Sequence, residues 1–144
     1  MTQGPESAPT HTPDPGPPDT GTSTGLAPNV SGALAYLLGP ITGILFLLLE
    51  KKSNFVRFHA AQSIGIFVVL FGLSIVLGVL SAILTAIPVL GWIIGIVFFL
   101  LSLLIGLGGF ILWIFLMFQA FQHKEWEFPW VGREVRKMIL KQSV

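Results

Sequence analysis

The side chains best suited to recognition lie in one run, Arg57-Phe58-His59-Ala60-Ala61-Gln62. On a helix His59 and Gln62 are one turn apart and share a face. An imidazole and a carboxamide beside the Arg57 guanidinium could therefore hold a lipid headgroup or a partner chain. The plainer role of such residues at the edge of an apolar stretch is to anchor a helix at the membrane interface. A second group, His123, Glu125 and Glu127, alternates along a Trp-rich segment. That spacing suits a polar edge better than a metal site, whose ligands must converge. Hydrolysis inside a membrane needs paired carboxylates, a Ser with its base, or His-Glu-x-x-His on a helix, and none of these patterns occurs. Cys is absent, which removes thiolate ligands, disulfides and Cys nucleophiles. The expectation is a protein that is not an enzyme and needs no cofactor.

A third set of polar groups closes the chain. Arg133, Arg136, Lys137 and Lys141 alternate with Val131, Val135, Met138 and Ile139 at helical spacing, the pattern of a short amphipathic helix lying on an anionic membrane surface. The alternative is a helix docked on the loop between the first two spans. Trp126, Phe128 and Trp130 precede it, rings of the kind that sit at headgroup level.

These groups must be positioned by apolar helices. The chain has 144 residues, of which 53% are hydrophobic and 10% charged, with a mean hydropathy of +0.81. Water-soluble domains carry roughly a quarter charged residues, so the composition is that of a membrane protein. Residues 1–28 hold seven of the ten prolines and no Lys or Arg, and read as a disordered tail. Val30 to Leu49 is free of charge for twenty residues, about 30 Å of helix, which matches the hydrocarbon core. Gly39-Pro40 falls in its middle and predicts a kink, and Asn29 predicts a helix N-cap. After the polar Glu50-Lys51-Lys52-Ser53-Asn54 loop, the next charged side chain follows Arg57 only at Lys124. Pro88-Val89-Leu90-Gly91 divides that long apolar stretch into a tight helical hairpin. The predicted fold is all-α and polytopic, with three transmembrane helices at about 30–49, 60–87 and 92–119. Together, 29–120 form the transmembrane domain, and 121–144 a cytoplasmic interfacial segment.

Three spans put the tail and the Pro88 turn on one face, without Lys or Arg. The other face holds all eight basic residues, Lys51, Lys52, Arg57, Lys124, Arg133, Arg136, Lys137 and Lys141. Basic residues favour the cytoplasmic side, which predicts a multi-pass cell-membrane protein with the N-terminus outside and the C-terminus in the cytoplasm. Small residues recur at about four-residue spacing within the spans: Gly39 and Gly43; Ser74, Gly78 and Ala82; Gly95, Ser102 and Gly106. In lipid such stripes let helix backbones approach, so these residues are expected to pack helix on helix. No Asp, Glu, Lys or Arg lies inside a predicted span, and ion-coupled carriers depend on such residues.

The segment Asn54-Phe55-Val56-Arg57-Phe58-His59-Ala60-Ala61-Gln62-Ser63, with Ala33-Leu34-Ala35-Tyr36-Leu37-Leu38-Gly39 before it, resembles a family of small uncharacterised prokaryotic membrane proteins. That family is grouped as domain of unknown function DUF 4870 and as uncharacterised protein family UPF 0132, and is distantly similar to the Tic-type import component of the chloroplast inner envelope. The resemblance covers roughly 30–131 and implies topology and location rather than a mechanism. The expected partners are the lipid bilayer and a membrane protein or a second copy, not nucleic acid. The leading reading is a non-enzymatic membrane protein acting through helix packing and lipid or protein contacts. An oligomeric transport or protein-translocation component is the second, and would need Ser74, Ser81, Thr85 and Ser102 around a hydrated path.

Overall fold

The computed structural model describes residues 21–142, which form five helices: α1 (Pro28–Leu37), α2 (Pro40–Leu49), α3 (Asn54–Thr85), α4 (Leu90–Phe121) and α5 (Val131–Gln142). The predicted disordered tail lies outside the described residues up to 20, and 21–28 depart from it by being bonded into the fold. α3 and α4 are the predicted hairpin. α3 starts six residues before the predicted span because Ser53 caps it, its hydroxyl accepting from the Val56 amide at 3.4 Å. At 32 residues each, the two helices run about 48 Å, enough for a tilted crossing of hydrocarbon and headgroups together. Their apolar side chains face outward: Ile83 is 64% exposed, Trp92 83% and Leu104 68%. Helices this apolar that turn Leu, Ile and Trp to the surroundings are candidate membrane spans rather than the buried core of a soluble fold.

The third predicted span is not one continuous helix. The charge-free stretch 30–49 is divided into two ten-residue helices, each about 15 Å long and half the depth of a hydrocarbon core. Contacts with α3 show their directions. A Cβ at Gly32 would lie 2.9 Å from Phe55, whereas one at Gly39 would face Phe67 at 3.9 Å, so α1 climbs α3. A Cβ at Gly43 would lie 2.9 Å from the Ala60 carbonyl oxygen, and Phe46 packs with Phe55, Val56 and Ala60, so α2 descends again. Both ends of this short hairpin are therefore at the Ser53 end of α3. The Ser23 amide proves the point, donating to the two carboxylate oxygens of Glu50 at 2.9 and 2.8 Å. A bilayer crossing between Ser23 and Glu50 would hold these groups tens of ångströms apart.

The break occurs where the predicted kink lies, because Gly39 adopts φ +61°, a left-handed conformation open to glycine and outside any right-handed helix. Its freed backbone groups find partners, as apolar surroundings require. The Tyr36 carbonyl accepts from the Gly39 amide at 3.0 Å and from the Trp113 indole at 2.6 Å. Thr42 donates to the Ala35 carbonyl at 3.2 Å and accepts from the Leu38 amide at 3.1 Å, and Ser63 donates to the Gly39 carbonyl at 3.1 Å. Asn29 does not cap α1. It lies inside the helix, and its amide reaches the Phe121 carbonyl at the end of α4.

The expected helix-packing stripe behaves in two ways. Gly43 lets α2 approach α3, as just described. Ser74, Gly78 and Ala82 of α3 and Gly95, Ser102 and Gly106 of α4 instead line an open groove of about 590 Å³. A Cβ added at Gly78 or Gly106 would meet nothing within 4 Å. The two spans meet at the Pro88 turn and at the opposite end, and stand apart between.

Candidate functional site

The end of the molecule that carries the basic residues is also where its polar groups are organised. Tyr36, His59 and Gln62 are almost wholly buried and joined side chain to side chain. The Gln62 amide nitrogen donates to the Tyr36 hydroxyl at 3.1 Å and to the Trp126 carbonyl at 3.0 Å. The Gln62 carboxamide oxygen accepts from the Phe128 amide at 3.2 Å. Tyr36 Oη lies 3.1 Å from His59 Nδ1. The imidazole tautomer sets which of these two atoms donates, since the hydroxyl can accept a second bond beside the one from Gln62. The His59 ring is packed edge-on by Phe55 and Phe58. This network clamps three segments distant in sequence, α1, the first turns of α3 and the strap 122–130 that follows α4.

His59 and Gln62 are thus corrected from surface contacts to interior ones: buried among aromatic rings, they have no face for a headgroup. The spacing that placed them on one helix face was right, but that face looks inward at Tyr36. Trp126, expected at headgroup level, is half-buried against Phe115 and Phe128. Arg57 is half-buried at the start of α3.

A second knot closes the loop before α3. Glu50 is fully buried, and beyond the Ser23 amide its carboxylate accepts from the amides of Lys52 and Ser53, both at 2.9 Å. Burial alone would raise its pKa, but the amides of Ser53, Ser23 and Lys52 outweigh that and hold the carboxyl below its ordinary value. Neither Tyr36 nor Glu50 is among the candidate contact residues read from the sequence. The available signals were a lone tyrosine in an apolar segment and one acid beside two lysines.

α5 docks on the fold, against residues that the structure makes part of α3. Its apolar side docks along α3, with Val135 and Ile139 buried against Phe58 and Val131 against Gly65. Arg136 is drawn into the fold: it pairs with Glu125 at 3.0 Å and with Glu127, and its guanidinium lies 4.8 Å from the Phe58 ring centre. Burial lowers the Arg136 pKa, and the Glu127 and Glu125 carboxylates more than restore it. Lys137 pairs with Glu134 at 2.7 Å on the exposed side. Arg133, Lys137 and Lys141 face outward, as do Lys51 and Lys52. Of the residues expected to touch lipid or a partner, Arg133, Lys137 and Lys141 are the ones the structure brings to a common outer surface.

Of the hydroxyls that a hydrated path would use, Ser74, Ser81 and Ser102 line the groove between α3 and α4, and those of Ser74 and Thr85 bond to their own helix. Ser74 donates to the Leu70 carbonyl at 2.8 Å and Thr85 to the Ser81 carbonyl at 2.7 Å. Among the described residues no group of three His, Cys, Asp or Glu converges as a metal site.

A family model described as the magnetosome magnetite crystal formation protein family matches residues 23–135. A UPF0132 membrane protein of Methanocaldococcus jannaschii is 50% identical over 111 residues, covering 77% of this chain and 87% of the relative. One of Archaeoglobus fulgidus is 44% identical over 111 residues, covering 77% and 94%. A second from Methanocaldococcus jannaschii is 39% identical over 108 residues, covering 75% and 67%. No solved structure matches the chain. The matched region begins with the Ser23–Glu50 knot and ends within α5, so it contains the whole network.

Proposed function

We propose, from the premise that this chain belongs to the magnetosome magnetite crystal formation protein family and to the uncharacterised UPF0132 membrane proteins, that it is a non-enzymatic integral membrane protein with two crossings. α3 and α4 cross, and the α1–α2 hairpin enters one leaflet and leaves on the same side. The observation that carries this reading is the bidentate bond from the Ser23 amide to Glu50, which puts the start of the described chain beside Lys51 and Lys52. All eight basic residues then share one end with both ends of the described chain, and the Pro88 turn lies across the membrane. The positive-inside rule makes that end cytoplasmic. There the buried network holds a rigid platform, whose outer face offers Arg133, Lys137, Lys141, Lys51 and Lys52 to anionic lipid or to an acidic face of a membrane partner.

The family's description speaks of crystal formation. Iron is held by carboxylate and imidazole ligands, and residues 85–92, Thr-Ala-Ile-Pro-Val-Leu-Gly-Trp, supply neither. At the other end Glu50, Glu125 and Glu127 are engaged by amides and by Arg136. On the described residues, any part this chain takes in such a process is assigned to organising membrane rather than to templating mineral.

The test uses the absence of Cys. Ala27→Cys, Lys141→Cys and Val89→Cys are introduced singly and probed on intact cells with an impermeant thiol reagent. Labelling of Val89→Cys alone is expected. Labelling of Ala27→Cys together with Val89→Cys would restore the three-span topology and defeat the proposal.

A further inference from the structure

The fold is wider at one end than at the other. Beside the Pro88 turn there are only α3 and α4, separated by the groove at Gly78 and Gly106. In the basic half α2 packs on α3 and α1 on both spans, so four helices stand side by side, with α5 laid along α3 at Phe58. At a diameter of about 10 Å an upright helix takes about 80 Å² of membrane area, so the basic half occupies about 320 Å² against about 160 Å² in the other. The surplus lies at the depth of lipid tails rather than above them. Leu38, Ile41 and Leu48 of the short hairpin are 60%, 69% and 68% exposed, and an apolar surface of that kind is at rest only against hydrocarbon. Helices of about 15 Å end near the bilayer midplane, so one leaflet takes the whole surplus.

We propose that the chain is a one-sided membrane wedge that favours curvature in which the leaflet at its basic end is the outer, convex one. In a small vesicle the outer leaflet is splayed and opens packing defects that apolar helices fill, the physical basis of curvature-sensitive insertion. A protein that adds area there and little to the inner leaflet relieves strain; inverted, it adds strain. Two orientations that differ in this way redistribute according to that difference. The inference rests on the two-crossing topology proposed above, since a third full span in place of the hairpin would even out the two halves.

The experiment reconstitutes the full chain carrying Lys141→Cys into vesicles of neutral phosphatidylcholine, which removes attraction between the basic end and anionic lipid. Populations of roughly 50 nm and roughly 400 nm diameter are compared. An impermeant thiol reagent counts chains with the basic end outward, and detergent release counts all of them. The outward-to-inward ratio should be at least about threefold higher in the small vesicles. A ratio that is equal in both, or lower in the small ones, overturns the wedge. Ala27→Cys in the same vesicles keeps the two readings apart. It should give the same ratios as Lys141→Cys, and inverse ratios would show that the topology itself fails.

Discussion

Gln62→Leu removes the centre of the buried network with little change in side-chain volume. Three bonds are lost, to the Tyr36 hydroxyl, the Trp126 carbonyl and the Phe128 amide. Tyr36 keeps its bond to His59 Nδ1, so the groups left stranded are the backbone carbonyl and amide of the strap. A buried polar group without a partner costs about 1–3 kcal/mol, and two of them put the loss near 3 kcal/mol, a large share of the roughly 5–15 kcal/mol that holds a domain folded. At about 3 °C per kcal/mol for a chain of this size, the midpoint should fall by about 10 °C. Thermal unfolding of the purified chain in mild detergent, followed by far-ultraviolet circular dichroism, measures it. Tyr36→Phe should cost less, and the double variant less than the sum of the two, since both lose the same Gln62–Tyr36 bond. A Gln62→Leu midpoint within about 2 °C of the parent, or strict additivity with Tyr36→Phe, would refute the claim that this network clamps the strap to α1 and α3.

Three further outcomes are expected. The stability contributed by Glu50 should be fully present above its ordinary pKa of 4.5 and lost as pH falls below it, because the folded carboxyl is held lower than the unfolded one; an acid titration of melting should show this in the parent and not in Glu50→Gln. Gly43→Ala should destabilise by about 1–3 kcal/mol because its Cβ would meet the Ala60 carbonyl oxygen, whereas Gly78→Leu, opening on the groove, should stay within about 0.5 kcal/mol in the same melts. Phe58→Ala should release α5 by removing the ring that Val135 and Ile139 cover, so limited trypsin digestion should cut after Lys137 and Lys141 faster than in the parent while the α3–α4 hairpin survives.

Much of the fold is legible in the residues. Pro88 in an unbroken apolar stretch marks the turn between α3 and α4, and Ser53-Asn54 marks the start of α3. The length of 30–49 misleads because twenty apolar residues satisfy a span whether or not they form one helix. What decides is Gly39-Pro40 together with its neighbours. A proline alone would leave a kink, but a glycine before it at φ +61° ends the helix, and Tyr36, Thr42, Ser63 and Trp113 supply the bonds that let it end inside apolar surroundings. Two of those four lie within six residues of the break, and the other two come from α3 and α4, which local pattern does not bring together. The same holds for the candidate site. Helical spacing puts His59 and Gln62 on one face, but the inward direction of that face depends on Tyr36 and on a strap 64 residues further along the chain.

Charge arithmetic does not choose between the two topologies, for a related reason. It fixes the side of every segment that carries Lys or Arg, and here it places all of them at one end, which the structure does as well. Residues 1–50 carry no Lys or Arg, so the rule places Lys51 without constraining what precedes it. A single span or a re-entrant hairpin before Lys51 gives the same basic count on each face, and the two differ only in where an uncharged segment begins. The deciding group is an acid. Glu50 lies under the chain with three backbone amides directed at its carboxylate, one of them from Ser23. A carboxylate buried at a membrane boundary without donors would be costly, and the donor from Ser23 is within reach only when the chain enters and leaves on the same side.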